Sequence, residues 1–263
     1  MKKTVGGLSV LLEGNQKNRA IIFLHGFPYD HTMWSEQIAA LRDTYYCVAY
    51  DIRGLGDSSV GDGQFTMESF VDDLEMLIRE LRIEKPPILC GFSMGGYIVL
   101  RAVERMESNF SAVILCDTTS NADDNEAKLK RSDVIRRINA QGLSSFSKNF
   151  IGRCYSDVYK KEHKEAVDKR IAKSIKFNSI GVKGCLFAML TRNDTSAYLP
   201  SIELPTLLLC GELDALTPPL RMKAMADQIK DAQFVLIKHA AHMSVVENPT
   251  DCNEAMKAFL AKL

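Results

Sequence analysis

The feature that most constrains this chain is the pentapeptide Gly-Phe-Ser-Met-Gly at positions 91–95, because of what flanks it. An apolar run that ends at Cys90 predicts a buried strand before it, and the residues over 96–103 have the pattern of a helix. A serine between a strand and a helix lies on a sharp, strained turn that exposes its side chain above the sheet. Glycines two residues before and after it allow the close backbone approach that this turn needs. The motif therefore predicts that Ser93 is a nucleophile.

Continuous apolar runs recur along the chain, with helical patterns between them. The runs that predict strands cover 20–24, 45–50, 88–90, 112–116, 206–210 and 234–237. Runs that are apolar on both faces are buried on both faces, which is typical of a parallel sheet covered by helices. A hairpin or edge strand is expected over 5–12, and Asn248-Pro249 predicts the start of the last helix. The alternation indicates an α/β fold with a mostly parallel, doubly wound sheet.

The alternation stops between 118 and 200, where no strong strand run appears and apolar residues fall at helical spacing. We predict a helical cap over 118–200, inserted into a core formed by 1–117 and 201–263. The insertion carries 16 Lys and Arg against 9 Asp and Glu. Solvated helix faces are one interpretation of this surplus, and a positive field that attracts anionic substrates is the other. Some large apolar residues of the insertion form either its own core or the wall of an acyl pocket: Phe146, Phe150, Phe177, Phe187 and Met189.

Composition excludes several classes of function. The chain has 33 Lys and Arg against 33 Asp and Glu, so its overall charge indicates no nucleic-acid partner. No window approaches 18 apolar residues, and the apolar run near the N-terminus is too short for a signal peptide, so no membrane segment is expected. Seven scattered cysteines without a C-x-x-C spacing favour neither a disulfide framework nor a zinc site. We therefore predict a cytoplasmic protein that holds no metal.

A serine nucleophile needs a base to take its proton, and the base needs an acid to orient it. His242 is the predicted base, because it lies between the sixth strand run and the last helix, and His239 is the alternative. Asp214 is the predicted acid, because it follows the fifth strand run closely. Asp117, at the end of the fourth run, is its rival, since that carboxylate could also reach the histidine. Glu212 is a third candidate for the acid.

An oxyanion hole needs two backbone donors. Met94, directly after the predicted nucleophile at the helix start, supplies one. The second is expected in the loop that follows the first central strand, where Pro28 has no N–H and Phe27 is therefore the predicted donor. A simple tight turn is the alternative for that loop. Met243, next to the predicted base, is the predicted pocket wall.

The glycine-rich stretch over 51–58 superficially resembles a phosphate-binding loop. It lacks the spacing of a P-loop or of a dinucleotide fingerprint. We therefore interpret it as a structural turn in which Asp51 and Arg53 tie loops together.

As a set, these motifs resemble the α/β-hydrolase superfamily over almost the full chain. The motifs that carry the resemblance are His-Gly-Phe-Pro at 25–28, Asp-x-Arg-Gly-x-Gly-x-Ser at 51–58, Gly-Phe-Ser-Met-Gly-Gly at 91–96, Gly-Glu-Leu-Asp-x-x-Thr-Pro at 211–218 and Ala-His-x-x-x-x-Glu-x-Pro at 241–249. The chain is most similar to small capped carboxylesterases and 3-oxoadipate enol-lactone hydrolases. Dehalogenase and epoxide-hydrolase branches carry aspartate at the elbow, and the serine here argues against both.

The resemblance implies a Ser93, Asp214, His242 triad, with Phe27 and Met94 as oxyanion donors and the insertion as a lid. The expected activity is hydrolysis of small-molecule esters or lactones with small to medium acyl groups, without a cofactor. A C–C bond hydrolase, a perhydrolase or a lyase could use the same site, and a signalling receptor could keep it for slow ligand turnover. The sequence predicts neither the physiological substrate nor the oligomeric state.

Overall fold

A computed structural model describes all 263 residues and contains one eight-stranded sheet, in the order β1-β2-β4-β3-β5-β6-β7-β8. The strands are β1 (Lys2–Val5), β2 (Leu8–Glu13), β3 (Ala20–Leu24), β4 (Tyr46–Tyr50), β5 (Ile88–Phe92), β6 (Ala112–Cys116), β7 (Thr206–Gly211) and β8 (Ala232–Ile237). β1 and β2 form the expected hairpin, and β2 pairs antiparallel with β4. From β4 through β3, β5, β6 and β7 to β8, all neighbours are parallel. The predicted α/β fold is confirmed.

Eleven α-helices accompany the sheet. They are α1 (Ser35–Leu41), α2 (Met67–Glu80), α3 (Met94–Met106), α4 (Asn125–Gln141), α5 (Leu143–Cys154), α6 (Asp157–Glu162), α7 (Lys164–Ile175), α8 (Ser179–Leu190), α9 (Pro219–Ala226), α10 (Ser244–Glu247) and α11 (Pro249–Leu260). Short 3₁₀ turns cover His31–Trp34, Glu107–Asn109 and Ser196–Ser201. The Asn248 side chain caps α11 by accepting a hydrogen bond from the Asp251 amide at 3.2 Å, as the sequence predicts.

Helices cover both faces of the sheet, so the core has two halves. Alternate residues of β3 point into opposite halves of the core. Ile22 and Leu24 pack on the side of α2 and α3, whereas Ile21 and Phe23 pack on the side of α1 and α11. The expectation that every strand run is buried on both faces is wrong for β8. This strand is the sheet's edge, and of its six residues only Ile237 is fully buried.

The chain between β6 and β7 contains helices α4 to α8 and no strand, as predicted. Two basic side chains of α7 attach this segment to the loop after β3: Lys173 Nζ lies 2.8 Å from Asp30 Oδ2, and Arg170 Nη1 donates to Thr32 Oγ1 at 2.8 Å. The boundaries of a cap over 118–200 remain a prediction.

Two expectations drawn from composition concern the whole chain. None of the helices combines the length and the apolar character that crossing a membrane requires. All seven cysteines are free and buried, and four of them lie in strands: Cys47, Cys90, Cys116 and Cys210. The cytoplasmic setting remains a prediction.

Candidate active site

Ser93 lies between the end of β5 and the start of α3, with φ 50° and ψ −112°. A positive φ is strained for a residue with a β-carbon, so the surrounding packing must impose it. The Ser93 amide donates to the Cys116 carbonyl oxygen at 2.9 Å, which attaches the turn to β6. A β-carbon at Gly91 would lie 2.6 Å from the carbonyl oxygen of Gly95, so Gly91 is required because the turn closes on itself. A β-carbon at Gly95 would meet the backbone at the end of β3 instead. The structure therefore has the predicted elbow.

The structure brings Ser93, His242 and Asp214 into one hydrogen-bonded row. His242 Nε2 lies 3.0 Å from Ser93 Oγ, and His242 Nδ1 lies 2.8 Å from Asp214 Oδ2. His242 and Asp214 are buried, whereas Ser93 is partly exposed. In such a row the acid selects the histidine tautomer whose Nε2 can accept the serine proton.

Asp214 is held by its own loop as well as by the histidine. The amides of Leu216 and Thr217 donate to its Oδ1 at 2.7 and 3.0 Å, and the Thr217 hydroxyl donates to its Oδ2 at 2.5 Å. Burial by itself would raise the pKa of Asp214, but the charge of His242 and these hydrogen bonds outweigh it and keep the pKa below its usual range. Asp214 is therefore a carboxylate near neutral pH. The role of Thr217 was not predicted, although this residue belongs to the Gly-Glu-Leu-Asp-x-x-Thr-Pro motif at 211–218.

The predicted oxyanion donors flank the elbow. The Phe27 and Met94 amides donate to no acceptor in the protein, so both N–H groups are free for a ligand. A β-carbon at Gly26 would lie 2.5 Å from the Phe92 ring and 3.2 Å from the Ser93 β-carbon, so this glycine lets the loop approach the elbow. A simple tight turn, the alternative for this loop, would not need to lie so close to Phe92 and Ser93.

His25 holds the loop that contains Phe27 in place, a role that the sequence did not indicate. Its Nδ1 lies 2.8 Å from the Gly26 carbonyl oxygen and donates to it, while its Nε2 accepts from the Ile52 amide at 2.8 Å. Burial lowers the pKa of His25, which keeps the ring neutral so that it can donate from one nitrogen and accept at the other. The loop is thereby tied to the end of β4.

The structure separates the rival candidates from this row. His239 is exposed at the end of β8, and its amide donates to Glu212 Oε2 at 3.2 Å, so both residues lie outside the row. Asp117 is buried beside it, with a carboxyl oxygen within 4.8 Å of the corresponding atoms of Asp214 and His242. It makes no hydrogen bond to the histidine, which bonds to Asp214 instead.

A sequence profile described as the alpha/beta hydrolase fold matches residues 19–249. The chain belongs to the alpha/beta hydrolase family.

Named relatives of this hydrolase span nearly its whole length. The 3-oxoadipate enol-lactonase 1 of Acinetobacter baylyi is 28% identical over 256 residues, which is 97% of this chain and 94% of that protein. A thermophilic esterase from Thermogutta terrifontis, solved with malate bound, has a TM-score of 0.92 and 32% identity over 100% of this chain and 98% of its own. The enol-lactonase from Burkholderia xenovorans has a TM-score of 0.90 over 99% of this chain and 100% of its own, and at 23% identity it supports the fold alone.

The side chain of Met243, the predicted pocket wall, lies in the core of this hydrolase. Its side chain is completely buried in the half of the core that contains Phe23 and Trp34, so it presents no surface to a ligand in this structure. The backbone of Met243 makes a contact of its own, since its amide donates to the Cys154 carbonyl oxygen at 3.1 Å. This bond joins the histidine loop to the end of α5.

Glu247 strengthens the same junction and was not singled out by sequence reasoning. Its two carboxyl oxygens accept from the Ala241 amide at 3.0 Å and from the Ser156 amide at 2.9 Å. Burial raises the pKa of Glu247, although these hydrogen bonds oppose the shift. The signal was present in the sequence, because this glutamate belongs to the motif that follows His242.

Two aromatic residues of the segment between β6 and β7 pack against Phe27. The Phe146 and Phe150 rings both lie 5.8 Å from the Phe27 ring, centroid to centroid, and they stack on each other at 5.6 Å. They also line a cavity of about 170 Å³ together with Arg137 and Arg153. Met189 is buried in the core instead, whereas Phe187 is about half exposed.

The stretch over 51–58 is the structural turn that its spacing indicates. Asp51 Oδ1 accepts from the His31 amide at 2.8 Å and lies 2.6 Å from His31 Nδ1, and its Oδ2 accepts from the Asp57 amide at 2.9 Å. Arg53 pairs with Asp73 of α2 through two hydrogen bonds, at 2.5 and 2.6 Å. Asp51 therefore ties loops together, as predicted, whereas Arg53 attaches this turn to helix α2.

Proposed function

We propose that this hydrolase cleaves carboxylic esters or lactones with small to medium acyl groups, through an acyl-enzyme on Ser93. The observation that carries the proposal is the row from Ser93 Oγ through His242 to Asp214, with joining distances of 3.0 and 2.8 Å. Two free amides beside the serine and the names of the relatives, an esterase and an enol-lactonase, support the same chemistry.

In the proposed reaction, His242 takes the Ser93 proton as Oγ attacks the substrate carbonyl carbon. The Phe27 and Met94 amides donate to the oxyanion that forms, and each such donor is typically worth about 3–4 kcal/mol of transition-state stabilisation. His242 then protonates the leaving alcohol and afterwards activates a water that releases the acid. Asp214, kept ionised, stabilises the imidazolium in both steps. Besides the substrate and this water, the steps use only groups of the chain itself.

We further propose that the segment over 118–200 acts as a lid that shapes the acyl pocket. Phe146 and Phe150 supply an apolar surface next to Phe27, and apolar walls favour a small hydrocarbon acyl group over water. The cavity of about 170 Å³ beside these rings is lined by residues between 134 and 153 and by none of the proposed triad or oxyanion residues, so the acyl length is left to the assay.

The test is hydrolysis of a p-nitrophenyl ester series from acetate to decanoate, and of a small lactone, by the wild type and by Ser93→Ala. Rapid turnover by the wild type and a loss of about 10⁶-fold in the variant are expected. The acyl length with the highest kcat/KM then gives the size of the pocket. A variant that keeps more than about a tenth of the activity contradicts the assignment, since triads lose far more without their serine.

The same assay separates the other uses of this site. A single burst of p-nitrophenol followed by very slow release, far below about 1 s⁻¹, indicates a ligand receptor rather than an ester hydrolase. No turnover of any ester or lactone, with Ser93 still reactive, moves the assignment to C–C bond hydrolysis or a lyase.

A further inference from the structure

The end of β6 contacts all three loops that carry the proposed triad. The Cys116 carbonyl accepts from the Ser93 amide at 2.9 Å, and the Thr118 hydroxyl donates to the Ser93 carbonyl at 2.8 Å. Asp117 lies between them, completely buried, with a left-handed φ of 44°. A residue with a β-carbon adopts such a φ at some cost, which is smaller for aspartate than for most side chains, and the contacts of Asp117 hold it there.

The Asp117 carboxyl bridges the acid loop and the base loop. Its Oδ1 accepts from the Gly211 amide at 2.8 Å, at the end of β7, three residues before Asp214. Its Oδ2 is bonded to the Ser244 hydroxyl, two residues after His242. A carboxyl oxygen of Asp117, a carboxyl oxygen of Asp214 and a ring nitrogen of His242 all lie within 4.8 Å of one another.

Two carboxyls so close to each other do not both ionise readily. Burial and the charge of Asp214 hold the pKa of Asp117 well above its usual range, whereas the pKa of Asp214 lies below it. Asp117 is therefore the neutral partner while Asp214 carries the charge that faces His242. Removal of the Asp214 charge would relieve this repulsion and leave the imidazole without its acceptor.

We propose that Asp117 is a second acid of this site, a positioning residue that orients His242 whenever Asp214 carries no charge. The inference rests on the proposed roles of Ser93 and His242. Its consequence is that the two aspartates back each other up, so that substitution of either alone costs less than a triad usually loses with its only acid.

The experiment compares the wild type, Asp117→Asn, Asp214→Asn and the double variant. One readout is the rate constant with which a fluorophosphonate labels Ser93, which needs the nucleophile and its base but no particular substrate. The other is kcat and KM for a p-nitrophenyl ester. An orienting role changes the labelling rate and kcat while it leaves KM nearly unchanged, whereas general loosening of the pocket also raises KM.

Asp117→Asn keeps both bridging bonds, because the amide oxygen accepts from Gly211 and the amide nitrogen donates to Ser244, so its labelling rate should stay within about threefold of wild type. Asp214→Asn should lose about 10²-fold, and the double variant about 10⁴-fold, the loss typical of a triad without a working acid. The Asp117 substitution should therefore matter only where Asp214 has been neutralised.

An Asp214→Asn protein that labels as slowly as the double variant overturns the proposal. Asp214→Ser, which keeps an oxygen for the Leu216 amide, provides a second background if the first variant unfolds. A wild type that is labelled but hydrolyses no ester contradicts the proposed function alone, since the four labelling rates still decide the role of Asp117. A wild type whose Ser93 is not labelled overturns both.

Discussion

A β-carbon at Gly95 would overlap the carbonyl oxygen of Leu24, the last residue of β3. The first turn of α3 is therefore pressed against the strand that leads into the loop of Phe27. This contact sets the distance between the two amides that we propose as oxyanion donors, because one follows the elbow and the other follows β3. A hydrogen bond of this kind weakens steeply when its partners move apart.

Gly95→Ala should separate the elbow from β3, because the backbone of Leu24 and His25 leaves the methyl group no room. We expect kcat to fall at least about 10²-fold, since a shift of about 1 Å can cost that much. Steady-state kinetics and thermal unfolding measure the two effects. Gly152→Ala in α5 is the matched control, because nothing lies within 4 Å of its added carbon, and it should leave activity unchanged. A Gly95→Ala enzyme with wild-type kcat would contradict the role of this contact.

Glu247→Gln should loosen the junction between the histidine loop and α5. An amide offers one acceptor oxygen where the carboxyl offers two, so either Ala241 or Ser156 loses its partner, at a cost of about 1–3 kcal/mol in the free energy of unfolding. Urea denaturation measures that loss, and kcat should fall with it because His242 directly follows Ala241. The variant would contradict this expectation if both quantities stayed at the wild-type value.

The same variant should change how stability depends on pH. The pKa of Glu247 is raised by burial, so the folded state binds this proton more tightly than the unfolded state does. Its contribution to stability is fully present below the unfolded pKa and is lost as pH rises through the folded pKa. In Glu247→Gln this decline should disappear, which denaturation at several pH values between about 4 and 7 would detect. An unchanged pH dependence would assign the decline to another group.

Acid should destabilise the protein through Asp51. Burial alone would raise the pKa of this carboxyl, but hydrogen bonds from His31 and Asp57 outweigh it and lower the pKa. The stabilisation is therefore present above the ordinary aspartate pKa and is lost as pH falls toward the folded value. Asp51→Asn should lower the free energy of unfolding at pH 7 by about 2–3 kcal/mol and flatten the loss below about pH 4. Asp168→Asn, in an exposed pair with Lys164, is the control and should change it by less than about 1 kcal/mol.

The basic lining of the cavity beside Phe146 should favour substrates that carry a carboxylate. Removing both charges with Arg137→Gln and Arg153→Gln should lower kcat/KM for p-nitrophenyl hemisuccinate about fivefold, since one ion pair near water is worth about 1 kcal/mol. The neutral p-nitrophenyl butyrate should be unaffected. Lys148→Gln is the control, because this exposed cation of α5 takes part in no salt bridge and does not line the cavity. Equal losses for both esters would show that the two arginines do not select charged substrates. The surplus of Lys and Arg over 118–200 would then be a solvated surface.

Much of this molecule could be predicted because the relevant signals are local. The strand runs, the hairpin and the Asn248 cap follow from the periodicity and chemistry of adjacent residues, and the structure contains them all. The partial exposure of β8 could not be predicted, since only the strand order of the sheet makes it an edge. Met243 was expected at a pocket wall from its neighbour His242, but adjacent residues often point to opposite sides, and its side chain lies in the core.

The sequence by itself determined the α/β fold, the elbow at Ser93 and a short set of candidates for base and acid, because each depends on a motif within a few positions. The tertiary structure decided which carboxyl reaches His242. Asp117 and Asp214 both follow a buried strand, and only the packing of β6 against β7 places Asp214 2.8 Å from Nδ1 and turns Asp117 toward Gly211 and Ser244. Distances of this kind depend on contacts between residues far apart in the chain, which no local pattern encodes.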